Sequence, residues 1–247
     1  MNTISYNKAI DITHEFASEI VSVFNDKIIA VFAIGSLGSD YYRPGQSDID
    51  TAVIVDVPRN EIWNIKNYIR SVADKYFEKY NVPKGFGAIV FSKDQLYPPY
   101  IKNEELILEI LRLKTQSKIV YGSFNLNDIP FPEIDAIIED ARAFEEWADS
   151  MRKNDPYFKI NDTVSLVNST LMILRRYLLI KCGICEFNKF KTIGLYLSEN
   201  PPIIFNELFD YVEKYIRDES CPLCKSSFQN LIEQHDTLYK HINSICL

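Results

Sequence analysis

The hydrophobic pattern changes period near the middle of the chain, and that change constrains the fold more than any other feature. Before it, helical stripes alternate with short β-rich apolar runs. Ile12, Phe16, Ile20 and Val23 fall at helical spacing, and Ile28 to Ala33 then reads as a strand. Thr51 to Val55 is a second strand, Ile62, Ile65, Ile69, Val72 and Tyr76 mark a second helix, and Phe86 to Phe91 a third strand. From Glu133 onward nearly everything reads as helix. Ile134, Ile137, Ile138, Ala141 and Phe144 share a stripe, Val164 to Lys181 forms a long apolar helix, and Pro201-Pro202 precedes another helix running to Arg217. This pattern predicts an α+β chain: a mixed sheet with flanking helices over residues 1–127, then an all-α helical bundle over 128–247. Asn125 to Pro132 reads as the linker, and no internal repeat competes with this division.

Charge narrows the partners. The 247 residues carry 27 Lys and Arg against 34 Asp and Glu, a net charge of −7. Phosphate contacts supply most of the affinity of a nucleic-acid binder, so an acidic chain argues against a DNA or RNA partner. It favours a cationic or metal-bridged one. The longest apolar runs, such as Ile28 to Ile34, fall far short of the roughly 20 residues a membrane helix needs. No basic n-region and apolar h-region open the sequence, and the five cysteines are an odd number in a chain too large to need disulfide staples. The expectation is a cytoplasmic protein with reduced thiols and no membrane partner.

The chemistry concentrates between Ile34 and Val55. A strand ends at Gly35-Ser36, a Gly- and Pro-containing connection follows, and Asp48-Ile49-Asp50 leads into the next apolar strand. Side chains alternate along a strand, so Asp48 and Asp50 are expected on one face with Cα atoms roughly 6–7 Å apart. Two carboxylates held together repel unless a cation separates them. Hard oxygen donors at that separation suit Mg²⁺, which completes its shell with water and substrate phosphates. Gly35 would let the backbone approach those phosphates closely, and a helix starting there would add a favourable positive end.

Gly35-Ser36, eleven residues, then Asp48-Ile49-Asp50 and an apolar strand resembles the nucleotidyltransferase superfamily of polymerase-beta type. Within it the sequence looks most like the bacterial aminoglycoside nucleotidyltransferases and their uncharacterised relatives. The approach Tyr42-Arg43-Pro44-Gly45-Gln46-Ser47 is similar to that branch, as are Ile119-Val120-Tyr121-Gly122 and Leu174-Arg175-Arg176-Tyr177 with Gly183, Lys189 and Lys191. The resemblance implies a nucleotidyltransferase-like N-terminal fold and a two-metal site that moves a nucleoside monophosphate from an NTP, ATP by preference, to a hydroxyl. It implies Asp48 and Asp50 as catalytic metal ligands, Gly35 and Ser36 as triphosphate contacts, and Ser47 as the residue that orients the loop. Lys189 or Lys191 would reach the triphosphate from the helical domain. The acceptor it implies is a small hydroxylated molecule, aminoglycoside-like and cationic.

One expected residue is missing. The superfamily carries a third carboxylate on a later strand, and here that strand reads Gly85-Phe86-Gly87-Ala88-Ile89-Val90-Phe91, with Gly87 at the corresponding position. Glu78 precedes the strand and Asp94 follows it. Some members take a catalytic Glu from the helical domain, which makes Glu145 and Glu146 the candidates here. Two rival readings follow: a catalytically silent nucleotide-binding or regulatory protein, and an antitoxin-type enzyme that modifies a partner protein.

Cys182-Gly-Ile-Cys185 and Cys221-Pro-Leu-Cys224 are two C-x-x-C pairs separated by 35 residues, with His235 and His241 following. Zinc ribbons space such pairs by about 15–20 residues. Free cysteines are therefore expected rather than a structural zinc. From Glu133 to Asp149 seven acidic residues accompany a single basic one, Arg142, and read as the solvated face of a helix.

Overall fold

The computed structural model describes residues 3–39, 41–100, 106–154, 160, 162–217 and 225–247. The chain divides into two compact units, Met1–Pro132 and Glu133–Leu247.

The first unit runs α1 (Tyr6–Phe24), β1 (Ile28–Ile34), α2 (Gly35–Gly38), β2 (Ile49–Val55), α3 (Ile62–Tyr80), β3 (Phe86–Ser92), α4 (Leu106–Thr115) and β4 (Ser117–Gly122). The strands form one sheet in the order β3-β2-β1-β4. β1 pairs antiparallel with β2 and β4, whereas β2 and β3 run parallel, so the sheet is mixed as expected. The parallel pair requires a crossover, which α3 supplies.

Alternation along the strands sorts side chains onto two buried faces. Val31, Ala33, Ile49, Val53 and Val90 pack beneath Ile12, Phe16 and Ile20 of α1 and Ile69, Val72 and Tyr76 of α3. Ala30, Phe32, Ile34, Ala52, Ile54 and Phe91 face the other way, against Ile110 and Leu113 of α4. Both faces are covered, which explains why the strands read as continuous apolar runs rather than alternating ones. Asp50 has the parity of Ala52 and Ile54, and Gly87 that of Phe91. The alternation therefore directs both toward the face that α4 covers.

The second unit comprises α5 (Ile134–Asn154), α6 (Thr163–Cys182), α7 (Lys189–Ser198), α8 (Asn206–Arg217) and α9 (Lys225–Cys246). Asp162 caps α6 reciprocally with Ser165, and Gly183 ends it in the left-handed region at φ +69°. Asn188 caps α7. The core gathers Leu166, Leu171, Leu174, Tyr196, Val212 and Leu238 from α6 to α9. Among the described residues no helix is long and apolar enough to cross a membrane.

The acidic helix α5 departs from its sequence pattern. Ile134, expected inside, is 45% exposed, whereas Asp140 and Glu145, expected in solvent, are 6% and 8% exposed. Buried charges need partners, and Glu145 has them: its Oε1 lies 2.6 Å from Arg176 Nη1, and its Oε2 accepts a hydrogen bond from the Tyr239 hydroxyl.

Candidate active site

Strand register brings the site together. Asp50 on β2 is flanked by Ile34 on β1 and by Gly87 on β3. Ile34 is the last residue of β1, so the Gly35-Ser36 turn begins beside Asp50. Asp48 stands one residue ahead of β2, where Ile49 N–H already donates to Gly85 C=O at 3.0 Å.

Gly35 adopts φ +63°, a conformation that favours glycine. Its N–H donates to Gln116 C=O at 3.0 Å, and its C=O accepts from Ser39 Oγ at 2.5 Å. Ser36 is half-buried at the start of α2. The positive helix end expected there does not develop, because α2 spans only four residues and aligns too few peptide dipoles.

The connection to Asp48 is held by Ser47, which is buried. Its Oγ accepts from Arg43 N–H at 3.0 Å and its own N–H donates to Arg43 C=O at 2.9 Å. Tyr41 donates its hydroxyl to Gln116 Oε1 at 3.0 Å, and Tyr42 donates to Ile4 C=O at 3.3 Å. Burial, then the neighbouring Asp48 carboxylate, pushes the Tyr42 phenol above its ordinary pKa.

The residue that sequence reading missed is Arg112 of α4. Its Nη2 donates to Asp50 Oδ2 at 2.5 Å, and its Nη1 lies 3.6 Å from Glu109 Oε2. Burial works to lower the pKa of this guanidinium. The charge of Asp50, the charge of Glu109, the hydrogen bond to Asp50 and the charge of Asp48 outweigh it and hold the pKa above the ordinary arginine value. A Cβ at Gly35 would collide with Arg112 Nη2, so the guanidinium lies directly on the turn. A Cβ at Gly87 would lie 2.5 Å from Asp50 Oδ1. The sequence signals a cation set between Leu111 and Leu113 with Glu109 three residues before it, and nothing local points to Asp50.

Gly87, the position at which the resemblance implies a third carboxylate, lies opposite Asp50 in the parallel ladder. Glu78 is exposed on α3, and Asp94 lies in the short turn after β3, accepting from Ser92 Oγ. Asp48 and Asp50 are the kind of oxygen donors that hold one Mg²⁺ together with water and phosphate. Among the described residues no three His, Cys, Asp or Glu side chains gather into a metal-binding group. The donor chemistry of Asp48 and Asp50 suits a divalent cation.

The remaining predicted residues lie in the second unit. Glu145 is held by Arg176 and Tyr239, and Glu146 is exposed on the same helix. Lys189 opens α7 with its ammonium over the Phe190 ring, and Lys191 is exposed two residues on. Arg175 donates to Phe187 C=O at 2.6 Å, and Arg176 donates to Asn243 Oδ1 at 2.6 Å, so both arginines of the Leu174–Tyr177 motif bind within the helical unit. Cys182, Cys185 and Cys246 form no disulfide, while Cys221 and Cys224 lie outside the described residues. His235 is buried with Nε2 2.9 Å from Ser169 Oγ.

Residues 15–144 match the nucleotidyltransferase domain family, and the chain belongs to that family. It is by class a nucleotidyltransferase. Among solved structures, the spectinomycin adenyltransferase AAD(9) from Enterococcus faecialis, with ATP and spectinomycin, superposes at TM-score 0.60. It is 16% identical and the match covers 92% of this chain and 97% of that one, which establishes a shared fold. A toxin–antitoxin complex with AMP-PNP matches at 12% identity and TM-score 0.28, covering 58% of this chain and 94% of that one. The toxin–antitoxin pair MntA-HepT matches at 11% and 0.26, covering 60% and 94%, and at these scores no common fold is implied. None of the curated proteins matches the chain at a significant level.

Proposed function

We propose that this nucleotidyltransferase moves a nucleoside monophosphate from ATP, taken up with Mg²⁺, to a hydroxyl of a small cationic acceptor of the aminoglycoside kind. The observation that supports this reading best is the register that sets Asp50 beside the Gly35-Ser36 turn. Asp48 and Asp50 hold the metal, Gly35 and Ser36 receive the triphosphate, and Ser47 fixes the turn that carries Asp48. When bound, the metal supplies charge neutralisation at the phosphates. The protein's part is to hold the reacting phosphorus and the acceptor hydroxyl in line and to keep the triphosphate from drifting, which is the larger share of catalysis in such transfers. Glu145 is assigned a structural role, because a general base needs a lone pair open to the incoming proton and this carboxylate is engaged by Arg176 and Tyr239. Lys189 and Lys191 are assigned no step. The acceptor class rests on the likeness to AAD(9), whose structure contains spectinomycin.

The test is incubation with Mg²⁺, ATP labelled at the α-phosphorus and a panel of hydroxylated cationic acceptors. Label transfer that disappears in Asp48→Asn supports the reading. The absence of a carboxylate at Gly87 favours a second one, a silent nucleotide-binding protein. Tight Mg–nucleotide binding without turnover across the panel would establish that alternative, and absence of nucleotide binding would overturn both.

A further inference from the structure

The turn assigned above to the triphosphate has little helix dipole behind it, because α2 is four residues long. Fixed positive charge at this turn comes instead from a side chain. A Cβ on Gly35 would meet Nη2, Cζ and Nε of Arg112, so one whole edge of the guanidinium lies against the turn. Position 35 therefore requires glycine twice over, for its φ of +63° and for the space this cation fills.

The hydrogen bonds of Arg112 leave it donors to spare. A guanidinium has five N–H donors in a planar fork. Among the described residues this side chain donates one hydrogen bond, from Nη2 to Asp50 Oδ2 at 2.5 Å. Glu109, three residues back on α4, lies 3.6 Å from Nη1, near enough for an ion pair and too far for a hydrogen bond. The side chain is 24% exposed, so solvent and ligands reach it. Three carboxylates, Asp50, Glu109 and Asp48, act on this one guanidinium. It thus brings no surplus of positive charge to the site. What it brings is direction, a fixed set of N–H donors whose geometry matches phosphate oxygens. Its bond to Asp50 takes Oδ2, whereas Oδ1 is the oxygen that a Cβ on Gly87 would meet. Arg112 need not leave Asp50 for that carboxylate to serve as a metal ligand.

We propose that Arg112 is a triphosphate-binding residue: it donates to phosphate oxygens at the Gly35-Ser36 turn from the N–H groups that Asp50 does not take, while Asp50 and Glu109 hold the guanidinium in place. The inference rests on the nucleotide-binding reading above and adds to it the side chain that grips the phosphate chain. The simpler role for Arg112 is a brace that only orients Asp50, and the two roles differ in whether the guanidinium itself senses the ligand.

The experiment titrates the full chain, in Mg²⁺, with α,β-methylene-ATP. Affinity is measured by calorimetry, and the guanidinium signals of Arg112 are followed by nitrogen-15 NMR, assigned by their loss in Arg112→Lys. The expected result is that these signals shift in step with saturation by the analogue. Arg112→Gln should bind the analogue at least about tenfold more weakly, and Arg112→Lys should lose less, because an ammonium keeps the charge without the fork. Arg112 signals that stay in place while the analogue saturates the wild-type chain would overturn the inference and leave a brace for Asp50. Unchanged affinity in Arg112→Gln would also overturn it, and in both cases the nucleotide-binding reading stands. Failure of the wild-type chain to bind the analogue would overturn that reading and the inference with it. The NMR titration is made on the wild-type chain, so a folding defect in Arg112→Gln does not remove the test.

Discussion

Gly87 stands across the parallel ladder from Asp50, and the Asp50 carboxylate oxygen occupies the space that a side chain on Gly87 would need. The missing carboxylate and the surviving one are therefore linked. A larger residue at 87 cannot be added without moving the Asp50 carboxylate and, with it, the contact to Arg112. Gly87→Ala is expected to cost about 1–2 kcal/mol of stability through overpacking. Nucleotide affinity should fall more steeply than that cost implies, because Asp50 must turn away from the site. Urea unfolding alongside nucleotide titration separates the two effects.

Gly35→Ala meets two penalties at once, the positive φ and the collision with Arg112. Together they are expected to destabilise the first unit by about 2–3 kcal/mol. Only the collision depends on Arg112. The double variant Gly35→Ala with Arg112→Ala should therefore recover part of the loss but not all of it, and a double-mutant cycle on unfolding free energies measures the recovered share.

Glu145→Gln tests whether that carboxylate braces the helices or performs chemistry. Arg176 is 7% exposed, so removing its partner leaves a buried cation uncompensated. The expected loss is about 3–5 kcal/mol, read from urea midpoints of the helical unit. Loss of label transfer at unchanged stability would instead assign Glu145 to the reaction.

Alkaline pH should weaken the fold. Burial, then the charge of Glu19, pushes the Tyr76 phenol up to about 12 from its ordinary value of 10.0. Burial likewise raises Tyr196 and the thiols of Cys182 and Cys246. Each of these groups keeps its proton in the folded state at a pH where the unfolded chain has lost it. The folded state binds more protons there, so stability is full below the unfolded pKa values and falls as pH rises through about 9 to 12. Urea midpoints measured at pH 8, 10 and 11 should fall in that order, and the phenolate absorbance of Tyr76 should appear only near the top of the range.

Legibility in the sequence followed local signals. β1, β2, β3, α1 and α3 lie where short apolar runs and helical stripes predict them, because both faces of the sheet are buried and the period is clean. β4 was legible only as part of a family resemblance, since it is an edge strand whose Ile119 and Tyr121 are 50% and 38% exposed and so make no apolar run. Gly35, Ser36, Asp48 and Asp50 stood out because their spacing spans one turn between adjacent strands. Arg112 did not, because its partner lies 62 residues away in sequence and is reached only through the packing of α4 on the sheet. Asp140 and Glu145 misled for the opposite reason, as charges whose local pattern says solvent and whose tertiary partners hold them inside.

Gln116 ties these parts together. Its N–H donates to Arg112 C=O at 2.8 Å, its C=O accepts from Gly35 N–H, and its side-chain oxygen accepts from Tyr41. One residue thus joins the end of α4, the turn after β1 and the loop beyond it. A ligand seated on the turn cannot settle without steadying α4 and β4 as well. Protection of their amides from hydrogen exchange should therefore rise as a cooperative block, including in segments the ligand never touches.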